Sequence, residues 1–86
     1  MEMTIKDLVE AARQGDQQAM TQLYERTNRR AYYLAVELVQ DEDQAWDILQ
    51  DSYVKAFDSL NDLADPAKFQ GWLKMIVTNK SKDYLR

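Results

Sequence analysis

Acidic side chains recur at helical spacing in the middle of the chain, and their chemistry is the easiest to read. In the stretch from residue 41 to residue 60, one outward helix face carries Asp43, Asp47, Gln50 and Asp51, here called the acidic strip, and no basic residue. Carboxylates in such a row can bind arginine through paired, charge-assisted hydrogen bonds. A face that serves only for solubility usually mixes both signs of charge. The strip therefore favours docking to a basic partner.

Paired carboxylates can also serve as acid and base in a hydrolase. Asp47 and Asp51 lie four residues apart, so in a helix they share a convex outward face. No cleft is apparent there to hold a shared substrate. The sequence therefore favours a binding protein over an enzyme.

A second group of polar residues lies near the end of the chain. Gly71, Met75, Asn79, Lys82 and Arg86 fall along one arc of a predicted helix. Lysine and arginine bind phosphates, and asparagine offers both a donor and an acceptor to the edge of an unpaired base. An ordinary solvated surface accounts for the same residue types, so the residues alone leave both interpretations open.

Missing residue types exclude several function classes. The chain has no Cys and no His, which removes disulfides, Cys or His metal sites, thiol nucleophiles and an imidazole base. No apolar run approaches the roughly 18 to 20 residues that span a bilayer, and the N-terminus has no signal-peptide core. We therefore expect a cytoplasmic protein with no cofactor, no metal and no membrane insertion.

The net charge of −4 hides an uneven distribution of charge. Residues 37–65 carry a charge of −8, whereas residues 66–86 carry +4. Two surfaces of opposite charge on consecutive helices indicate two different partners.

The elements that must position these residues are helices. Eighty-six residues with two Gly and one Pro predict a single small domain with few turns, and apolar residues recur with a helical period. Thr4 with Asp7 resembles a capping box, Asp16 can cap a second helix, and Asp41 or Asp43 can cap a third. We predict an all-α, compact bundle of three to four helices, one short and three long. The first two cover about 5–14 and 17–39. The third begins after its cap, Asp41 or Asp43, and runs to about Leu60, and the fourth follows a loop at 61–68 and runs from 69 to the end.

Aromatic residues are predicted to be mainly structural. Phe69 and Trp72 fall on the core side of the last helix and are predicted to be packing anchors. Tyr32 and Tyr33 are adjacent, so they cannot both face inward.

Three stretches, in this order and spacing, resemble region two of the bacterial extracytoplasmic-function sigma factors. They are ARQGDQQAMTQLYERTNRRAYYLA, QAWDILQDSYVKAF and FQGWLKMIVTNKSKDYLR, and together they cover almost the whole chain. The resemblance implies a helical domain that binds the arginine-rich clamp helices of the RNA polymerase β′ subunit. It also implies recognition of the promoter's minus-ten element as single-stranded DNA.

The resemblance assigns expected roles to individual residues. Polymerase binding is expected at Asp43, Trp46, Asp47, Gln50 and Asp51. The loop at 61–68 is expected to wall a pocket for a flipped-out base. DNA binding is expected at Arg29, Arg30, Asp65, Lys68, Lys74, Met75, Asn79, Lys82 and Arg86.

The chain departs from the family pattern at a few positions. Trp46 replaces a small or acidic residue, Phe57 stands where Trp is common, and the loop lacks a common Gly. Trp46 is therefore expected either to be buried by a neighbour or to be a hot spot for the clamp or an anti-sigma protein. The resemblance also implies that this domain is the N-terminal part of a longer protein with a second helical DNA-binding domain. The alternative function is a helical protein-interaction adaptor that keeps the acidic strip without DNA recognition.

Overall fold

Four α-helices make up most of the computed structural model, which describes residues 2–86. No strand occurs within that range, so the predicted all-α bundle is confirmed. Two short 3-10 turns, Leu60–Asp62 and Pro66–Lys68, lie in the α3–α4 loop, which comprises residues 59–68. The helices are α1 (Ile5–Arg13), α2 (Gln17–Val39), α3 (Glu42–Asp58) and α4 (Phe69–Leu85).

Side-chain caps begin the first three helices, as the sequence predicts. Thr4 and Asp7 form a reciprocal capping box, with both hydrogen bonds at 3.1 Å. Asp16 accepts a 3.1 Å bond from the backbone of α2, and Asp41 does the same for α3. Asp41 is therefore the cap of α3, which leaves Asp43 free at the surface.

The helix ends differ slightly from the predicted ones. Gly15 follows the last turn of α1 with a φ of +93°, a conformation that glycine adopts without strain. α3 ends at Asp58 rather than near Leu60, because the chain tightens there into a 3-10 turn whose Asp62 N–H donates to the Ser59 carbonyl at 2.8 Å.

The core lies where α2 packs against the other three helices. Phe69 is completely buried and Trp72 packs beside it, with 6.2 Å between ring centroids, so both are packing residues. Phe57 is only partly buried, because it sits where α3 approaches its end at the surface. The completely buried aliphatic side chains include Leu8, Val9, Leu23, Leu49 and Val77.

Buried hydroxyl groups are hydrogen-bonded rather than left unpaired. Thr27 donates to the carbonyl of Leu23 at 2.7 Å, and its oxygen also pairs with the Tyr53 hydroxyl. Burial raises the pKa of Tyr53 to about 12, although the bond to Thr27 acts in the opposite direction. This pair joins α2 to α3 beneath the surface that carries the acidic strip.

Within residues 2–86, none of the helices combines the length and the apolar character that crossing a membrane requires.

Candidate functional site

The acidic strip is exposed along α3. Asp43, Asp47 and Asp51 make no ion pair within 4.0 Å in the described part of the chain, where the ion pairs are Lys6–Glu10 and Arg86–Asp83. Three carboxylates that form no ion pair repel one another and gain free energy when a cation approaches. The strip can therefore accept guanidinium groups without first breaking internal pairs.

Gln50 is the one member of the strip that is tied to another helix. Its amide donates to the Tyr24 hydroxyl of α2 at 3.3 Å. The Tyr24 ring lies against Tyr53, with centroids 4.8 Å apart, and Tyr53 bonds Thr27. α2 thus orients the amide in the middle of the strip.

An open groove of about 570 Å³ runs beside the strip between α2 and α3. Trp46 is 49% exposed there and meets Tyr32 edge to face, with centroids 6.1 Å apart. No neighbour buries Trp46 completely, so the first of its two expected environments is not observed. The groove is lined by Asn28, Arg29, Tyr32, Tyr33, Glu42, Asp43, Trp46 and Asp47.

The electrostatics of this groove are negative. Partial desolvation, followed by the charges of Glu42 and Asp43, raises the pKa of Tyr32 above its ordinary value. A flat aromatic surface beside carboxylates suits a guanidinium group, which can stack on a ring and bond an acid at its edge. The geometry therefore fits an arginine side chain of a partner.

A second groove, of about 480 Å³, lies between α2 and α4. Arg30 and Lys74 bring basic groups to it from the two helices, and the small Gly71 leaves space on the α4 side. Arg29 and Arg30 are adjacent in sequence but border different grooves, because successive helix positions point about 100° apart. The groove is lined by Thr27, Arg30, Ala31, Tyr33, Leu34, Glu37, Gln70, Gly71, Leu73 and Lys74.

The remaining residues with an expected DNA role lie along α4 and at its start. Met75 is 53% exposed, and Asn79, Lys82 and Arg86 follow it on the surface. Arg86 approaches Asp83 at 4.0 Å, a weak exposed pair that leaves the guanidinium accessible. The exposed arc predicted from helical spacing is therefore present.

The α3–α4 loop brings Asp65 and Lys68 to the surface at the start of α4. Asp65 caps the second 3-10 turn by accepting a 3.0 Å bond from the Ala67 N–H. The loop is anchored from below by the side chains of Leu60 and Leu63, both buried.

Arg13 also holds this loop, and the sequence reasoning missed it. Its Nε donates to the carbonyl of Leu60 at 3.3 Å, and its Nη2 donates to the carbonyl of Leu63. In the sequence Arg13 resembles an ordinary basic residue in the last turn of a helix. Its partners lie 47 and 50 residues away, so no local pattern signals the contact.

The expected site residues therefore form two separate surfaces. Trp46, the acidic strip and Arg29 belong to the α2–α3 side, whereas Arg30 and Lys74 line the α2–α4 groove, and the other expected α4 residues are exposed further along that helix. Their roles in binding stay predictions.

Comparisons with known proteins place the chain in a family. Residues 23–86 match the family Sigma-70 region 2. The chain is 29% identical to the ECF RNA polymerase sigma factor SigW of Bacillus subtilis (strain 168), over 100% of this chain and 46% of that protein. It is 32% identical to the ECF RNA polymerase sigma-E factor of Haemophilus influenzae, over 98% of this chain and 44% of that protein. The chain thus spans less than half the length of these relatives.

A solved structure shares the fold. It is the NMR structure of an engineered region 2 of sigmaE in complex with GTAAAA. The similarity has a TM-score of 0.89 at 32% sequence identity, and it covers 99% of this chain and 90% of that chain.

Proposed function

The chain belongs to the Sigma-70 region 2 family and is similar to this region of ECF sigma factors, and from this membership we propose how it acts in transcription initiation. α3 docks on the clamp helices of the RNA polymerase β′ subunit. α4 and the α3–α4 loop capture unpaired bases of the minus-ten promoter element. The role is binding, without catalysis.

The unpaired acidic strip is the observation that carries the polymerase part of the proposal. Asp47, Gln50 and Asp51 face outward on a regular helix, so their spacing is set by the helix and costs little ordering on binding. The clamp helices that the resemblance implies are rich in arginine, and arginine bonds carboxylates in a bidentate way. Trp46, half-exposed beside the strip, adds an aromatic surface for the same guanidinium groups.

The basic residues lie apart from the acidic strip, and this supports the DNA part of the proposal. Arg30 and Lys74 flank one groove, and Lys82 and Arg86 are exposed further along α4. These side chains would hold phosphates, while Asn79 would read a base edge and the α3–α4 loop would wall a pocket for a flipped base. The relative with the solved structure binds GTAAAA, and we extend DNA binding from that protein to this one.

An anti-sigma protein is the natural competitor for the α2–α3 groove. Trp46 and Tyr33 are exposed there at 49% and 62%, and such aromatic groups are frequent hot spots in protein interfaces. We propose that an inhibitor covers this groove and thereby blocks the clamp helices.

Binding to an isolated β′ clamp-helix fragment tests the polymerase part. We expect micromolar or tighter binding, weakened by salt, and a loss of at least about 100-fold with Asp47→Arg plus Asp51→Arg. Glu10→Arg is the control, since it reverses an exposed charge on α1, away from the α3 face that carries the strip, and should have little effect. A folded wild-type protein that does not bind the fragment would refute the docking proposal.

Binding to labelled single-stranded GTAAAA and to its single-base variants tests the DNA part. Asn79→Ala should reduce discrimination among the variants by about tenfold, because a bidentate base contact contributes about 1 to 3 kcal/mol. Lys82→Gln should weaken binding to all the DNA sequences alike and lower the salt dependence of binding. If both substitutions leave DNA binding and promoter function intact while clamp binding persists, the protein is the alternative, a protein-interaction adaptor.

A further inference from the structure

Arg13 lies outside both proposed binding surfaces, on the short helix α1, yet it reaches the loop between α3 and α4. Its guanidinium donates to two backbone carbonyls of that loop, those of Leu60 and Leu63. The fork of a guanidinium can bond two acceptors at once, which a lysine ammonium on a flexible stem does less well. One side chain thus fixes the separation of two points in the loop.

The loop needs such a contact because its own hydrogen bonds are few and short-range. The Leu63 N–H donates to the Leu60 carbonyl at 3.3 Å, and the Asp62 N–H donates to the Ser59 carbonyl at 2.8 Å. The carbonyls of buried residues require donors, and the charged guanidinium supplies stronger hydrogen bonds than a neutral group would. Arg13 therefore ties this segment to α1, a link that the short-range hydrogen bonds of the loop do not provide.

Exposed side chains alternate with the anchored residues. Asn61 and Asp62 lie between the two held carbonyls, and Ala64 and Asp65 follow the second, all four at the surface. Their positions depend on where the two carbonyls are held. A shift of the loop would move all four of these side chains, which are the loop's candidates to line a pocket for a base.

We propose that Arg13 is a positioning residue for base selection, acting through the α3–α4 loop without touching DNA. The inference rests on the proposed capture of single-stranded DNA. In this proposal, α1 helps to determine which base the protein accepts. The proposed contacts to phosphates and to polymerase all lie on other helices.

Three variants test the proposal: Arg13→Met, which keeps the aliphatic stem, Arg13→Lys, which keeps the charge, and the control Lys6→Met. Lys6 is exposed on the same helix, so its replacement removes one positive charge without reaching the loop. The DNA probes are labelled single-stranded GTAAAA and six versions with an abasic site at one position each. The β′ clamp-helix fragment and thermal unfolding are measured in parallel.

Arg13→Met should reduce the penalty for the abasic site at one position by about five- to tenfold, a smaller factor than two charged hydrogen bonds represent, because Arg13 acts on the base only through the loop. The penalties at the other positions and the clamp affinity should change by less than about twofold. Arg13→Lys should fall between wild type and Arg13→Met, and Lys6→Met should match wild type. In the free protein, Arg13→Met should also speed amide hydrogen exchange at Asp62, Leu63 and Ala67 while α2 and α3 stay protected.

Two results would overturn the role of Arg13. One is wild-type base selectivity and wild-type loop exchange in Arg13→Met. The other is an equal loss of all DNA and clamp binding that follows the loss of folded protein, which would make Arg13 an ordinary structural residue. A wild-type protein that binds no probe would instead refute DNA capture and this inference with it, and the exchange measurement would still show whether Arg13 holds the loop.

Discussion

The two grooves beside α2 differ in how they are built. The α2–α3 groove is acidic and aromatic, and its acids come from the regular spacing of a single helix. The α2–α4 groove is flanked by the basic groups Arg30 and Lys74, and next to α4 lies a loop whose shape depends on a contact from α1. A surface on one helix follows from local sequence, whereas a surface assembled from distant segments depends on the whole fold.

The largest effect is expected from a substitution in the hydrophobic core, because both grooves depend on the same core and should lose binding together. Phe69 is completely buried at the start of α4, and Phe69→Ala should cost about 3 to 5 kcal/mol by leaving a cavity. For a domain of this size that is most of the free energy of unfolding, so clamp and DNA binding should fall together. Chemical denaturation measures the cost. Leu85→Ala, a large-to-small change at an exposed position of the same helix, is the control. A folded Phe69→Ala protein that has lost only one of the two binding activities would contradict the shared core.

Trp46→Ala should separate the grooves. We expect about a tenfold loss of clamp-fragment affinity with no change in DNA binding, because the half-exposed ring offers its face only on the α2–α3 side. Leu38→Ala removes an exposed apolar group of α2 that lines neither groove and serves as the control in titration calorimetry. Equal losses for Trp46→Ala and Leu38→Ala would mean that the aromatic ring has no specific role.

Tyr53→Phe should test the buried hydroxyl pair beneath the acidic strip. Loss of the hydrogen bond to Thr27 should lower the free energy of unfolding by about 1 kcal/mol, while Tyr84→Phe, at an exposed site, should have little effect. Both grooves should keep their relative affinities, since the folded shape is unchanged.

The same substitution should change the alkaline stability of the protein. The pKa of Tyr53 is raised to about 12 in the folded state, above its ordinary value of 10.0, so the unfolded chain loses this proton first as the pH rises. The stability that the neutral phenol provides is complete below pH 10 and is lost between about pH 10 and 12. In urea unfolding, the free energy of unfolding of wild type should therefore fall between about pH 10 and 12, and Tyr53→Phe should make this fall smaller by on the order of 1 to 2 kcal/mol. An unchanged pH profile would show that burial does not hold the phenol neutral.

The smallest effects are expected from the adjacent arginines, which make a matched pair. Arg30→Gln should weaken DNA binding by about two- to threefold and lower its salt dependence, as expected for a phosphate contact. Arg29→Gln should strengthen clamp binding by a similar factor of about two, because it removes a positive charge from the groove of the acidic strip. Arg29 was expected at the DNA from the family resemblance. If both substitutions weaken DNA binding and leave clamp binding unchanged, the placement of Arg29 beside the acidic strip has no functional meaning.

Several features of the fold followed directly from the sequence. The caps Thr4 and Asp16, a third cap at Asp41 or Asp43, and the apolar period predicted the helices, and both ends of α2 agree with the structure. These signals act over three to four residues, so they can be read locally. The exposure of the acidic strip followed in the same way, because a helix with one apolar face must present the opposite face to solvent.

Other features could not be read from the sequence because they join distant residues. The Arg13 contacts to the α3–α4 loop and the bond between Thr27 and Tyr53 depend on how helices pack. Local spacing also could not decide that Arg29 and Arg30 border different grooves, since that depends on which helix lies on each side of α2.

The sequence by itself determined that the protein is a helical bundle with an acidic face on α3 and basic residues on α4. Side-chain period, capping and local charge are enough for that, since each depends on neighbours along one helix. Only the tertiary structure decided the half-exposed setting of Trp46, the division of the basic residues between two grooves, and the hold of Arg13 on the α3–α4 loop. Those depend on contacts between helices, which form only when the apolar faces pack together and exclude water.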